Sequence, residues 1–194
     1  MKKINNYKSL SSKLVEEELK RETYKVKYIN LLKNTIFTLI VVAAIITIIS
    51  SYILSVFEVS GESMIPALDE GQIVVAFHDK SIKANDVIAF YQGNKILIKR
   101  VIATQGSYVN IDDDGNVYVD GNLLDEPYVL EKTLGDSNIK YPYQVPDGHY
   151  FVLGDKRNTS IDSRYDIIGA VSNENVIGKV VISVWPLNKM GIVK

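Results

Sequence analysis

The chain contains no cysteine, so disulfides, thiolate zinc sites and thiol nucleophiles are excluded from the start. It is nearly as poor in histidine. His78 and His149 are too few for a histidine metal cage, and each is read as a turn or surface residue. Charge of one sign is also missing: 22 Lys and Arg face 23 Asp and Glu, a formal net charge of -1. Without clustered, uncompensated cations there is no electrostatic case for nucleic acid as a partner. The lack of cysteine leaves the redox compartment open, because such a domain folds equally well on either side of a membrane.

What is present is apolar material, 46% of 194 residues, enough for one globular domain and one extra segment. Residues 34–57 run twenty-four positions without a charge, between Lys33 and Glu58. At about 1.5 Å per residue such a helix crosses a hydrocarbon core of about 30 Å. It is apolar on every face, unlike the striped helix of a soluble core. The run exceeds a signal-peptide core, and no small-x-small site follows before Glu58, so it reads as a retained anchor. Nine basic residues precede it against four acidic ones. That bias predicts a cytoplasmic tail over 1–33 and an extracytoplasmic domain over 58–194 in a single-pass cell-membrane protein. The tail reads as solvated and partly ordered, with a charged helix as the alternative.

Beyond residue 58 the apolar residues come in short runs rich in Val, Ile, Tyr and Phe: QIVVAF, DVIAFY, KILIKRVIA, NVYVDG, HYFVLG and VIGKVVISVWP. These predict strands, and no helical period of comparable length competes. The expected fold is mainly β, a single N-terminal transmembrane helix followed by an all-β domain. Asp114-Gly115 and Asp120-Gly121 mark hairpin turns, within a region at 107–143 read as an inserted hairpin subdomain. The acidic run Asp112-Asp113-Asp114 lacks the glycine and terminal glutamate of a calcium loop in register, and is read as a solvated turn.

Three clusters carry candidate chemistry. Ser63 follows Gly61 and precedes Pro66, at a sharp exit from an extended segment. A serine needs a base, and with two poorly placed histidines a lysine is the remaining common choice. Lys99 lies within Ile96-Leu97-Ile98-Lys99-Arg100-Val101-Ile102, where apolar neighbours would desolvate the amine and lower its pKa. An exposed edge lysine is the bland alternative there. The third cluster, Gly154 to Arg164, is dense in polar and charged residues directly after a core strand. It reads as a hydrogen-bonded scaffold at a site or as a polar surface loop.

Together these segments resemble the bacterial type I signal peptidases, which remove signal peptides from exported preproteins by a Ser/Lys dyad. Ser63-Met64-Ile65-Pro66 is similar to the family's nucleophile box, Lys99-Arg100-Val101-Ile102 to its lysine box, and Gly154-Asp155 through Asp162-Ser163-Arg164 to its C-terminal box. The resemblance extends over residues 35–190 in the family's order. It implies that Ser63 attacks the scissile carbonyl, that Lys99 takes its proton, and that Ser160 orients the Lys99 amine. It further implies that Asp162 pairs with Arg164, that Asp155 pairs with Arg100, and that the Ser63 N–H stabilises the oxyanion. Where some relatives add a hydroxyl two residues before the nucleophile, this chain has Gly61. Val59, Gly61 and Met64 are the expected substrate-binding positions, receiving an extended preprotein with small residues one and three before the cut. Val56, Phe57, Met64 and Ile65 are read as an apolar rim toward lipid or as core. No metal or organic cofactor is called for, and a monomer is expected. A non-catalytic tethered β module would explain the anchor and strands and leave the three clusters as coincidence.

Overall fold

The computed structural model describes residues 2–79 and 81–193, with side chains from Ser12 onward. Met1, Lys80 and Lys194, which fall inside the expected segments 1–33 and 58–194, lie outside the described residues. The chain divides into two compact units, 1–50 and 51–194.

The first unit is helical. Helix α1 covers Lys2–Ile53, so the charged tail continues into the apolar run as one helix rather than a partly ordered coil. Salt bridges Lys20–Glu16 and Lys25–Glu22, one turn apart, favour that state. Over Ser12–Ile53 the helix is long and apolar enough to cross a membrane. Its polar residues suit that setting: Thr35, Thr38 and Thr47 donate their hydroxyls to the carbonyls of Leu31, Asn34 and Ala43. Each hydroxyl is thus satisfied inside the helix, as hydrocarbon requires.

The apolar run read as anchor over 34–57 is divided. Its last four residues leave the helix and enter strand β1, Leu54–Glu58, which pairs antiparallel with β2, Ile73–Phe77. β-branched and aromatic residues at 56–57 suit either state, and the ladder to β2 decides. The remaining strands are β3 (Val87–Gln92), β4 (Lys95–Thr104), β5 (Tyr108–Ile111), β6 (Val117–Val119), β7 (Asn122–Leu123), β8 (Tyr143–Gln144), β9 (His149–Leu153), β10 (Val171–Ser172), β11 (Val176–Trp185) and β12 (Gly191–Ile192).

The main sheet has the order β1-β2-β11-β3-β4-β9-β10, with β12 beside β11. A second sheet, β7-β6-β5-β8, comes from the region read as inserted. Asp120 and Gly121 both have positive φ (52° and 80°), the backbone that a tight β6–β7 turn needs. At the preceding turn, Asp112 accepts from Asn116 and Tyr118.

Two packing layers matter for the site. Val59, Met64, Leu68, Val74, Ala76 and Val87 form one cluster beneath the Ser63 turn. Ile88, Phe90, Val101 and Val152 form another under the middle of β4. The second sheet closes over a third cluster, with Ile102, Phe151 and Leu153 meeting Val109 and Val117.

Strand β4 changes partners along its length. Its residues 95–100 pair with β3, whereas β9 pairs only from Arg100 onward. Among the described residues, the first half of β4 therefore has one unpaired edge, and β1, paired only with β2, has another.

Candidate active site

Ser63 sits on a turn that the backbone builds after β1. Gly61 takes φ +83°, a conformation L side chains rarely adopt, and Ile65 N–H donates to the Glu62 carbonyl at 3.1 Å. Met64 then drops into the core, 1% exposed, which pins the turn from below. Of the two readings for Met64, lipid rim or core, the structure has the core: its side chain is packed, because it follows the turn inward.

Lys99 comes from mid-strand β4. Alternation places it on the face of Leu97 and Val101, above Ile88 and Phe90, and it is 4% exposed. Its Nζ lies 2.6 Å from Ser63 Oγ. Burial pushes the amine down to about 8; Asp162 and Asp155 oppose the shift, and Arg164 adds to it. At pH 7 about a tenth of the lysine is then the free amine, against almost none for an ordinary lysine.

The segment 154–164 is a scaffold and not a surface loop. Arg164 is its hub: Nε and Nη2 hold Asp162 at 2.8 and 3.0 Å, Nη1 donates to the carbonyls of Thr133 and Leu134, and Nη2 also reaches those of Arg157 and Ser160. Asp162 in turn accepts from Gly154 N–H at 3.0 Å. Arg100, the residue after Lys99, makes a two-point contact with Asp155 at 2.8 and 2.7 Å. Lys156 touches both flanks of the serine. Its N–H donates to the Ser63 carbonyl at 3.0 Å, and its ammonium pairs with Glu62.

The hydrogen bond that the resemblance implies between Ser160 and the Lys99 amine is not made. The Ser160 Oγ is buried and has no hydrogen-bond partner, and the bond of the Lys99 amine goes to Ser63. The hydroxyl is instead pressed against Gly154. A Cβ added at Gly154 would lie 2.2 Å from Ser160 Oγ and 2.7 Å from the Ser63 carbonyl. Gly154→Ala is therefore expected to displace the Ser63 turn. A shift of about 1 Å costs on the order of 100-fold in turnover, so kcat should fall by that much while circular dichroism still reports a β domain.

Several contributors escape a reading of the sequence. Glu126 is buried against Arg157, with Oε1 to Nη2 at 2.5 Å, although thirty-one positions separate them. Tyr128 lies with its ring 4.0 Å from the Arg100 guanidinium carbon. A glutamate followed by Pro-Tyr carries no signal of such a role, since only the folded second sheet brings it back to the site.

Two cavities meet at Ser63 and Lys99. One, of about 300 Å³, lies between the unpaired edges of β1 and β4 and includes Val56, Val59, Met64 and Ile98 in its lining. The other, of about 710 Å³, is lined by Gly61, Leu97 and Ile161 among others. Val59, Gly61 and Met64, the expected substrate-binding positions, thus all line one cavity or the other.

The model of the family "Signal peptidase, peptidase S26" matches residues 32–185. The chain belongs to that family. It is similar to "Signal peptidase IB" of Staphylococcus aureus, 31% identical over 79% of this chain and 90% of that one. "Probable signal peptidase I-2" of Synechocystis is 36% identical over 64% of this chain and 51% of its own length. This member of the family therefore spans about half the length of the second relative and nine-tenths of the first. A crystal structure of a signal peptidase I from Enterococcus faecalis matches with a TM-score of 0.42 and 32% identity, over 51% of this chain and 96% of that chain.

Proposed function

We propose that this member of the signal peptidase family is a membrane-anchored serine endopeptidase that cleaves signal peptides from exported preproteins, with Ser63 as nucleophile and Lys99 as general base. The observation that carries the reading is a buried amine with a pKa of about 8, 2.6 Å from a serine hydroxyl, beside two unpaired strand edges.

The chemistry is acyl transfer. The Ser63 hydroxyl donates its proton to neutral Lys99 as Oγ bonds to the scissile carbonyl carbon, and the Ser63 N–H supports the oxyanion. The ammonium of Lys99 then gives its proton to the departing peptide nitrogen, and water releases the acyl group. Ser160, buried without a partner in the segment behind Ser63, is the proposed acceptor for the ammonium while it carries the extra proton. Gly61 supplies no hydroxyl, so the oxyanion rests on backbone donors alone.

An extended preprotein fits between β1 and β4 as an added strand. The narrow cavity between those edges suits the small side chains one and three residues before the cut. In the cell membrane, α1 is the single span, with the basic tail in the cytoplasm and the β domain outside. The chain acts as a monomer against preproteins still held in lipid.

Incubating the full chain in phospholipid vesicles with a labelled preprotein, then sequencing the new N-terminus, tests the function. One cut after a small-x-small sequence is expected; an intact preprotein sinks the proposal. The pH dependence follows from the amine. Its protonated form is inactive, so kcat/KM should rise with pH and level off near 8, falling about tenfold per unit on the acid side. A rate that is flat from pH 5 to 8 would contradict a lysine base.

A further inference from the structure

The cleft holds more space than small side chains use. β4 separates its two cavities by its own pleat, since successive side chains point to opposite faces. Ile96 and Ile98 face the 300 Å³ cavity, and Lys95 belongs to the 710 Å³ one, while Leu97 and Lys99 border both. The larger cavity draws its walls from Leu97, Ile161, Ile167 and Ile168, three separate segments of the fold, with Glu62 and Lys95 at its rim. Ile161 and Ile167 are 58% and 71% exposed, so an apolar surface lies open directly beside the nucleophile.

A peptide strand laid along β4 alternates in the same way. Its direction follows from the chain, because β1 begins at the residue after α1 ends. Val56 lies three residues after Ile53, so the Val56 and Ile96 end of the groove is the one first reached along the chain from α1. A substrate whose apolar N-terminal part lies in the same bilayer enters from that end and reaches Ser63 with the residues that precede its cut. If the residues one and three before the cut point into the 300 Å³ cavity, the residue between them points into the other.

Resting on the peptidase reading above, we propose that the larger cavity selects a bulky apolar side chain two residues before the scissile bond. An alanine methyl leaves Ile161 and Ile167 wet, whereas a leucine or phenylalanine covers them. A carboxylate placed there gives up water over the isoleucines and has the rim Lys95 for a partner. The residue just after the cut shares the same face nominally, but it lies beyond Ser63, away from Leu97 and Lys95.

The test uses the full chain in detergent micelles and peptides with the sequence Ala-x-Ala before the cut, where x is Gly, Ala, Leu, Phe or Asp. A second series varies only the residue after the cut. Leu and Phe at x are expected to exceed Gly by about tenfold or more in kcat/KM. In the Ile161→Ser/Ile167→Ser double variant that ratio should collapse to within about twofold. Both residues are exposed, so the substitutions leave the core packing alone. A flat x series, a ratio unchanged in the double variant, or a preference seen only after the cut overturns the inference. Failure to cleave any peptide overturns the peptidase reading instead, so the two failures are told apart.

Discussion

Ser63→Ala and Lys99→Met are each expected to lower preprotein turnover by at least about 10⁴-fold, with the two together no worse than either alone. The hydroxyl and the amine act as one unit, and members of such a unit are strongly non-additive on removal. Single-turnover kinetics on preprotein should show the loss in kcat with little change in KM, because neither side chain holds the peptide. Turnover within tenfold of the parent in either variant would remove the dyad. The lysine variant carries a second signature. The folded pKa of about 8 lies below the 10.5 of the unfolded chain, so the unfolded state binds more protons between those values and stability rises with pH across that window. Below pH 8 both states are protonated and the whole cost, on the order of 3 kcal/mol, is present. Lys99→Met should thus be the more stable protein at pH 7, with the difference shrinking toward pH 10.5. Urea denaturation at the two pH values measures it, and a destabilised variant at pH 7 would show that the ammonium is not strained by burial.

The second large effect concerns Arg100 and Asp155, which are buried without exposure on either side chain. Burial raises the Asp155 carboxyl above its ordinary value, and the hydrogen bonds and charge of Arg100 only partly offset this. A raised carboxylate pKa means that the ion pair works against stability as pH climbs past the carboxyl range; its value lies in geometry. Breaking it is another matter, since Asp155→Ala removes both carboxylate oxygens that Arg100 holds at 2.8 and 2.7 Å in a buried site. A loss of about 3–5 kcal/mol is expected, roughly a 10–15 °C fall in Tm for a domain of this size. Replacing both residues by apolar ones, as in Arg100→Met/Asp155→Leu, should recover most of that stability. It should not recover full activity, because the pair ties the strand bearing Lys99 to the segment that backs Ser63. Differential scanning calorimetry and preprotein cleavage on the same three proteins separate these outcomes. Equal stability of the single and double variants would count against the broken ion pair as the cause.

Much of the fold is legible in the residues alone. The six short apolar runs beyond residue 58 become β2, β3, β4, β6, β9 and β11 because strands buried on a face announce themselves by composition. Ser63, Lys99 and the 154–164 segment are visible as local anomalies: a glycine before a serine, a lysine amid isoleucines, charge after a core strand. The failures have a common cause. β1 is hidden inside the apolar run, because a strand and a membrane helix want the same side chains and only pairing with β2 distinguishes them. Glu126 and Tyr128 are invisible because their partners lie far along the chain. The resemblance implies a bond from the Lys99 amine to Ser160, and in the structure that hydroxyl is buried without a partner, close against Gly154.

The direct passage from α1 into β1 has a last consequence. Ten residues separate Ile53 from Ser63, and an extended chain reaches at most about 3.6 Å per residue. Ser63 is therefore held within about 36 Å of the point where the helix ends. Under the proposed function, with α1 ending at the lipid surface, a bond destined for cleavage has to present itself inside that radius, which makes its height above the lipid a criterion of choice alongside its sequence.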